Sequence, residues 1–320
     1  MWKYIVKRLL LLIPVVIGVT FLVFVIMNLK PGDPGRMILG LSATQEAVEK
    51  YNTALGLDRP FLVRYLDYMS HLIRGDFGLS WYGSEPILPN IVQLFPATLK
   101  ICLLSIIFAM VVGIPLGVLS AVKQYSLADR IASTFAMIMA SVPTFWLCLL
   151  MTLFFAVRLK LLPSFGLSSW KHYIMPMIAL GANTLGLVIR MTRSSMLEEI
   201  RQDYVRTARA KGAKEKTVIF THALRNSLIP VVTACGTNFS LLLGGTVFVE
   251  AVFAIPGLGN YLVDAVTKKD IPVVMGCVVI LAISVVIINL GVDIIYAFLD
   301  PRIKSKYQGS VRKSRRKAVE

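Results

Sequence analysis

The stretch LLLLIPVVIGVTFLVFVIMNL, residues 9–29, is almost entirely apolar. As an α-helix, about 21 residues extend about 31 Å, close to the hydrocarbon thickness of a bilayer, about 30 Å. The run is longer than the apolar centre of a cleavable signal peptide, and LKPGDPG follows it instead of a small-residue cleavage site. These features predict a retained transmembrane helix within residues 1–30 that ends at the prolines and glycines.

Further apolar runs of similar length follow along the chain. They lie at about residues 97–122, 131–157, 173–191, 228–249 and 273–299. Each is long enough, or nearly so, to cross a bilayer as a helix, although Asn183 and Thr184 interrupt the short fourth run of the chain. The pattern predicts an all-α integral membrane protein with six transmembrane helices.

The overall composition supports this class. Hydrophobic residues make up 56% of the chain and charged residues only 16%, more apolar surface than a soluble fold of this length buries. The net charge of +16 lies in short segments between apolar runs, which argues against nucleic acid as a partner. The four cysteines occur singly inside apolar runs, so their spacing indicates neither a metal site nor a disulfide framework.

Basic residues predict the orientation. Lys and Arg cluster before the first run, in the tail 301–320, and between the fourth and fifth runs. Cytoplasmic segments carry such excesses, and an even number of crossings places all three clusters on one side. We therefore expect a protein of the cell (inner) membrane that has both termini in the cytoplasm and residues 31–96 on the outer side. That nearly neutral region is either a helical cap on the outer ends of the spans or a docking surface for an external partner.

Small residues predict how the spans pack. Gly113, Gly117 and Ala121 recur every four residues in the second run, and a longer series of small side chains continues through the third. Small residues allow membrane helices to approach closely. Pro143 is expected to kink the third helix midway.

The sequence contains no recognisable enzyme site. His71, His172 and His222 fall in different predicted compartments, so they cannot jointly bind a metal or perform acid–base chemistry. A phosphate-binding loop and the common hydrolase motifs are missing from the sequence. We expect no catalytic, cofactor or metal site on this chain, so any energy for its work must come from another protein.

The polar segment 192–227 separates the fourth and fifth runs. SSMLEEIRQDYVRTARAKG predicts a helix that Ser195 and Glu198 would begin as a capping box and that Gly212 would end. A second short helix is expected before Pro230 opens the fifth span. The segment is either a passive amphipathic hairpin on the lipid headgroups or a contact for a partner.

Several segments in order resemble a known family. They are IPVVIGVTFLVF, LGLDRPFLVRYLDYMSHLIRGDFGLSW, RMTRSSMLEE, DYVRTARAKG, HALRNSLIPVVT, FVEAVFAIPGLGNYLVDAV and VDIIYAFLDPRI. Nearly the whole chain is similar to ATP-binding-cassette importer permeases of the peptide and nickel family, whose members resemble the dipeptide permease B subunit. The resemblance implies a membrane subunit that pairs with a homologous second permease, binds two ATPase subunits that use ATP, and receives substrate from an extracytoplasmic binding protein.

In this family the cytoplasmic loop carries an E-A-A-x-x-x-G motif whose short helix inserts into the ATPase. Here Arg206 and Thr207 replace its first two residues, whereas Ala208 and Gly212 match. The residues that the resemblance assigns to ATPase coupling are Arg206, Thr207, Ala208, Gly212, Ala213, Lys214, Val218, Phe220, His222, Arg225, Asn226 and Pro230.

Three polar residues near the predicted spans are candidates for the pathway. Glu250 could receive a charged amine at the outer face or simply cap a loop. Asn289 and Asp293, four residues apart in the last run, are either structural partners of another helix, with Arg190 a candidate for Asp293, or part of a substrate site.

The expected function is therefore the permease half of an ATP-driven importer within a core domain at residues 97–300. Dipeptides or oligopeptides are the expected substrates, and nickel or a metal chelate is the alternative within the class. A self-sufficient secondary transporter is the alternative from another class, although it would favour paired intramembrane carboxylates in two similar halves.

Overall fold

The computed structural model describes residues 2–30, 32–40 and 42–299. The predicted basic tail 301–320 lies outside these residues. The described part is predominantly helical, and its only β-type pairing is an isolated bridge between Leu79 and Pro86. The predicted all-α class is confirmed.

A long first helix and three short ones make up the N-terminal region. They are α1 (Trp2–Leu29), α2 (Pro34–Leu39), α3 (Gln45–Ala54) and α4 (Phe61–Ile73). The side chains of Asp33 and Thr44 cap α2 and α3 by accepting backbone N–H groups of their first turns. Tyr65 of α4 contacts α1, where its hydroxyl lies 3.0 Å from the hydroxyl of Thr20. This contact packs part of the predicted outer region onto the first span.

The remaining helices follow in chain order. They are α5 (Ile87–Val122), α6 (Leu127–Ser141), α7 (Thr144–Met151, continued by a π-helix Thr152–Arg158), α8 (Ile174–Ile200), α9 (Asp203–Ala210), α10 (Glu215–Thr217, continued by a π-helix Val218–Ala223), α11 (Leu224–Val252), α12 (Leu258–Lys268) and α13 (Ile271–Leu299).

Five of the described helices are long and apolar enough to cross a membrane. The consecutive pair Leu127–Ser141 and Thr144–Arg158, bent by 102° at the break between them, would make a sixth span. The break lies at Val142 and Pro143, where the proline cannot donate a backbone hydrogen bond. The six predicted runs therefore agree with the helices, but the third is broken rather than merely kinked.

Two boundaries differ from the prediction. Helix α5 is 36 residues long and begins at Ile87, about ten residues before the predicted start. Helix α8 runs through Asn183 and Thr184, as the predicted span 173–191 requires, but it continues to Ile200, nine residues beyond the predicted end.

The predicted capping box at Ser195 and Glu198 is wrong. Both residues lie inside α8, and a new helix begins only at Asp203. The prediction that Pro230 opens the fifth span is also wrong, because Pro230 lies inside α11, which continues the helical segment that starts at Glu215. A proline removes one backbone donor, a loss that membrane helices tolerate.

The chain forms two compact units. One comprises the described residues of Met1–Ile101, Cys148–Pro176 and Leu243–Val286, with a buried core that includes Phe24, Ile87 and Met275. The other comprises the described residues of Cys102–Leu147, Met177–Leu242 and Ile287–Glu320.

Glycines allow close helix contacts in the second unit. A Cβ atom at Gly117 would lie 2.5 Å from Cβ of Thr192 on α8, and one at Gly186 would lie 2.5 Å from the carbonyl oxygen of Ala136 on α6. Real Cβ atoms do not approach so closely, so each site requires glycine. The small-residue pattern of the second and third runs is thus a packing surface, as predicted.

Candidate functional site

The polar segment after α8 folds into a compact helix–turn–helix. Helix α9 ends at Ala210, and Gly212 turns the chain with a φ of +81°, a left-handed conformation that glycine adopts readily. The predicted role of Gly212 as the end of this helix is confirmed. The following segment runs from Glu215 through the π-helix directly into α11. A change at this turn can therefore reach a membrane helix without crossing a flexible linker.

A small apolar core holds the two arms together. Met196, Val205, Val218 and Ala223 are fully buried and belong to one cluster with the end of α5, including Val118. Burying an apolar side chain of this size contributes roughly 1.5–3 kcal/mol. The segment is therefore packed against the ends of α5 and α8 and does not lie as an isolated hairpin.

Two sets of polar contacts stabilise the helix–turn–helix. Arg209 and Glu215 form a two-pronged ion pair across Gly212, with Nη2–Oε1 and Nε–Oε2 distances of 2.7 Å and 3.1 Å. Asn226 donates its side-chain amide to the hydroxyl of Tyr204 at 2.9 Å, and that hydroxyl donates to the carboxylate of Glu199. Burial, together with this carboxylate, raises the pKa of Tyr204, so the phenol stays a donor.

Most residues assigned to coupling form the surface of this element. Phe220 is 59% exposed. Val218 is buried in the small core, whereas Ala208, Ala213 and His222 are half-buried. The exposed members are Arg206, Thr207, Gly212, Lys214, Phe220, Arg225, Asn226 and Pro230. These residues thus present a basic surface with one large apolar side chain.

The sequence reasoning missed an ion pair next to this element. Arg193 of α8 binds Asp129 of α6, with Nε–Oδ1 and Nη2–Oδ2 distances of 2.7 Å and 2.9 Å. Asp129 is buried and also accepts hydrogen bonds from the Ser120 hydroxyl and the backbone N–H of Tyr125. Ser126 caps α6 by accepting the N–H of Asp129, and this S-x-x-D pattern at the start of a helix was the available sequence signal.

Glu250, near the end of α11, is fully buried. Its Oε1 accepts the Thr98 hydroxyl at 2.6 Å, and its Oε2 accepts the backbone N–H of Asn260 at 3.0 Å. The Thr98 oxygen in turn accepts the backbone N–H of Leu258 at 2.9 Å. A Cβ atom at Gly257 would lie 2.4 Å from the carboxylate, so the loop before α12 packs directly on it. These contacts are those expected of a loop cap.

Two candidate pathway residues lie on α13. Asn289 is half-buried, whereas the side chain of Asp293 lies outside the described residues, so its proposed pairing with Arg190 stays a prediction. Arg190 itself is exposed on α8.

Helix α8 has one exposed polar face. Asn183, Arg190, Ser194 and Glu198 are exposed and recur at helical spacing. The opposite side of this part of the helix is buried and lined by Thr184, Val188, Thr192 and Met196. A polar face on an otherwise apolar helix is unsuited to lipid contact.

The residues described here contain no group of three or more His, Cys, Asp and Glu side chains that could hold a metal ion.

Two families match the chain, one in its C-terminal part and one in its N-terminal part. The family described as binding-protein-dependent transport system inner membrane component matches residues 113–305, and the N-terminal family of such membrane components matches residues 1–102. The chain is 42% identical over 306 residues to the glutathione transport system permease protein GsiC of Salmonella choleraesuis (strain SC-B67), covering 96% of this chain and 100% of that protein. The protein of the same name from Escherichia coli (strain K12) is 41% identical over the same shares.

Solved structures give the fold. An inward-facing structure of the MetNI methionine ABC transporter matches with a TM-score of 0.56 and 25% identity, over 68% of this chain and 99% of that one. An amino acid ABC transporter crystallised with histidines matches with a TM-score of 0.51 and 15% identity, over 67% of this chain and 94% of that one, which shows the fold alone. The resemblance inferred from the sequence is confirmed. The chain belongs to the family of binding-protein-dependent transport system inner membrane components, and it is a permease subunit of an ABC importer.

Proposed function

We propose that this permease forms half of a translocation pathway for short peptides. The proposal rests on its similarity over nearly its full length to permease proteins of glutathione transport systems, because glutathione is a peptide-like molecule. A homologous second permease would complete the pathway, two ATPase subunits would hydrolyse ATP, and an extracytoplasmic binding protein would deliver the substrate. Both termini and the segment 192–227 would then lie in the cytoplasm, and residues 31–96 would lie outside.

The exposed polar face of α8 is the observation that carries the pathway assignment. A charged side chain at the centre of a membrane helix costs roughly 2.5–3.5 kcal/mol when it meets lipid. Asn183 within the predicted run 173–191 and Arg190 near its end avoid a cost of this kind if their face borders water or the second permease, whereas Glu198 lies in the segment 192–227, outside the span. Helix α8 would therefore line the pathway, with Asn183 and Arg190 in contact with the passing peptide.

The helix–turn–helix at 203–226 would couple this pathway to ATP hydrolysis. Its apolar core makes it a rigid body, and it continues into α11 without a linker. Closure of the ATPase subunits against its exposed surface would tilt α11 as a unit. Phe220 would enter an apolar groove of the ATPase, and the surrounding charges would set the orientation.

The test is substrate-stimulated ATP hydrolysis in proteoliposomes that contain the complete transporter and its binding protein. Glutathione, dipeptides, oligopeptides and nickel complexes are compared at equal concentrations. We expect stimulation by peptides and little by nickel complexes. Stimulation by nickel complexes alone would refute the substrate class, and an assembly that transports without any ATPase subunit would refute the importer mechanism in favour of a secondary transporter.

A further inference from the structure

Helix α4 carries two stripes of opposite character, each with the three- and four-residue spacing of one side of a helix. The apolar stripe consists of Leu62, Leu66, Met69 and Ile73. The polar stripe consists of Arg64, Asp67, His71 and the C-terminal cap Arg74. Within the apolar stripe, Leu62, Leu66 and Ile73 are 60%, 64% and 82% exposed. Large apolar side chains that adjoin one another on a surface indicate a contact with another apolar body.

The apolar stripe lies beside the middle of the first span. The sulfur of Met69, a member of this stripe, lies 3.7 Å from the hydroxyl of Thr20 on α1. The neighbouring Tyr65 donates its hydroxyl to the carbonyl oxygen of Ile17 at 3.0 Å. Both Thr20 and Ile17 are near the centre of the apolar span Leu10–Leu29. The side of α4 that carries the apolar stripe therefore faces the middle of the membrane.

The polar stripe lies toward the C-terminal end of the same span. Arg64 Nη2 donates to the side-chain oxygen of Asn28 at 2.8 Å. Asn28 and Thr20 are eight positions apart on α1. That separation is about 12 Å along a helix, which is about the diameter of an α-helix with its side chains. Helix α4 therefore lies across α1, with its polar side toward the membrane surface and its apolar side toward the hydrocarbon.

The chain after α4 contacts a second span at a similar depth. A Cβ atom at Gly276 of α13 would lie 3.3 Å from the ring of Phe77, so this ring packs directly on α13. Gly276 lies five positions after Ile271, the first residue of α13. These five positions correspond to about 7.5 Å along the helix. Helix α4 and the residues that follow it are thus held beside the ends of two spans and not above them.

The exposed apolar surfaces of α1 and α4 meet at Phe21. This α1 residue is 40% exposed, and its ring centre lies 6.1 Å from that of Phe61 and 5.3 Å from that of Tyr65. Leu22 and Ile26 of α1 are also exposed. The apolar stripe of α4 therefore extends the surface that the first span presents to its surroundings.

We propose that α4 is an interfacial membrane helix whose apolar stripe contacts phospholipid acyl chains in the leaflet at the C-terminal end of α1. Its polar stripe then lies at the level of the headgroups, where its charges stay hydrated, as in other amphipathic helices that lie in a membrane surface. A protein partner would not require the two stripes to be ordered from the membrane surface to its middle. This location of α4 depends neither on the transported substrate nor on the side of the membrane that residues 31–96 occupy.

The test measures what surrounds each stripe in the complete transporter, reconstituted in nanodiscs of phosphatidylcholine and phosphatidylglycerol. A fluorescent bimane is attached to a single introduced cysteine on α4. Leu66→Cys and Asp67→Cys are the matched pair, because these residues are neighbours, are both exposed and belong to opposite stripes. The native cysteines of this chain are buried, and the transporter without an introduced cysteine measures the labelling background.

Two quenchers distinguish lipid from water. One is phosphatidylcholine with a nitroxide on an acyl chain, and the other is aqueous iodide. We expect the lipid nitroxide to quench the Leu66→Cys label at least about threefold more strongly than the Asp67→Cys label, and iodide to give the reverse order, because an interfacial helix buries only its apolar side in the acyl region.

Two results would overturn the proposal. Equal and strong iodide quenching of both labels would place the apolar stripe in water. A Leu66→Cys label that neither agent quenches would show that another subunit covers the stripe. Ile73→Cys and Arg74→Cys repeat the comparison one helical step further along, and this second pair decides the question if the Leu66→Cys variant does not assemble.

Discussion

Arg193 and Asp129 form a two-pronged ion pair between α8 and α6, with distances of 2.7 Å and 2.9 Å. The Asp129 side chain is only 6% exposed, so its charge depends on this partner. The pair lies at the end of α8 from which the coupling helices continue. It therefore holds α6 and α8 together next to the helices that would move during coupling.

Breaking this pair should destabilise the protein strongly. Arg193→Gln leaves a buried carboxylate without its counter-ion, a change that costs roughly 3–5 kcal/mol. Arg206→Gln is the control, since Arg206 pairs with Asp203 at 3.7 Å on a surface where both side chains are largely exposed. That pair should contribute less than about 1 kcal/mol. The unfolding temperatures of the two variants are measured in the same detergent. Equal decreases in unfolding temperature would contradict a stabilising role of the Arg193–Asp129 pair.

Glu250 should hold the loop before α12. Glu250→Gln replaces one acceptor oxygen with a donor amide, which cannot satisfy both the Thr98 hydroxyl and the Asn260 N–H. Losing a hydrogen bond to a charged acceptor costs roughly 1.5–3 kcal/mol, so the amides of Leu258 and Asn260 should exchange about 10- to 100-fold faster. Hydrogen–deuterium exchange measures this directly. Asp264→Asn, on exposed α12 surface, is the control, and a variant with unchanged exchange would show that the carboxylate does not organise the loop.

The contact between α5 and α8 at Gly117 should tolerate no side chain. Gly117→Ala would place a Cβ atom 2.8 Å from the Ile189 carbonyl oxygen, which is backbone and cannot move aside. Overpacking of this kind typically costs about 1–3 kcal/mol. At Gly244, a helical glycine with no atom within 4 Å of such a Cβ, alanine should be neutral or slightly stabilising. Unfolding temperatures of the two variants should differ; similar values would exclude close packing at Gly117.

Gly212 should be required for coupling but not for membrane insertion. Gly212→Pro cannot adopt the observed φ of +81° and loses the hydrogen bond from its N–H to the Arg209 carbonyl. We expect peptide-driven ATP hydrolysis and uptake to fall to background while the chain still inserts and assembles. Gly212→Asn, which tolerates left-handed backbone, should keep most activity. Normal uptake by the proline variant would contradict the assignment of this segment to coupling.

Asp270, directly before α13, should make the stability of the folded protein depend on pH. It is buried, and its Oδ2 accepts the Ser80 hydroxyl at 2.5 Å. Burial raises the pKa of Asp270 above its ordinary value of 3.8. The folded protein thus holds this proton more tightly than the unfolded chain, and the stability so gained is present below pH 3.8 and is lost as the pH rises through the raised pKa.

The measurement is the difference in unfolding temperature between the wild type and Asp270→Asn from pH 4 to pH 8. The wild type should lose stability relative to the variant as the pH rises, because asparagine does not titrate. A difference that is constant, or that changes in the opposite direction, would show that the hydrogen bonds to Asp270 outweigh its burial.

Local sequence patterns predicted much of the fold of this protein. Apolar runs of membrane length indicated the spans, small residues at four-residue spacing indicated a close-packing face on α5, and Gly212 indicated the turn after α9; the structure identified α8 as the helix that packs on that face. The boundaries failed where tertiary contacts extended a helix past a polar residue. Ser195 lies inside α8, although it was expected to begin a helix.

The sequence by itself determined the class, the family and the order of the spans, because these follow from hydrophobic length, charge distribution and ordered motifs. Only the tertiary structure decided which polar groups meet. Asp129 and Arg193 are 64 positions apart, and Thr98 and Glu250 are 152 apart. No local periodicity specifies such pairs. They form because a buried charge must find a partner, and the packing of the helices decides which partner is within reach.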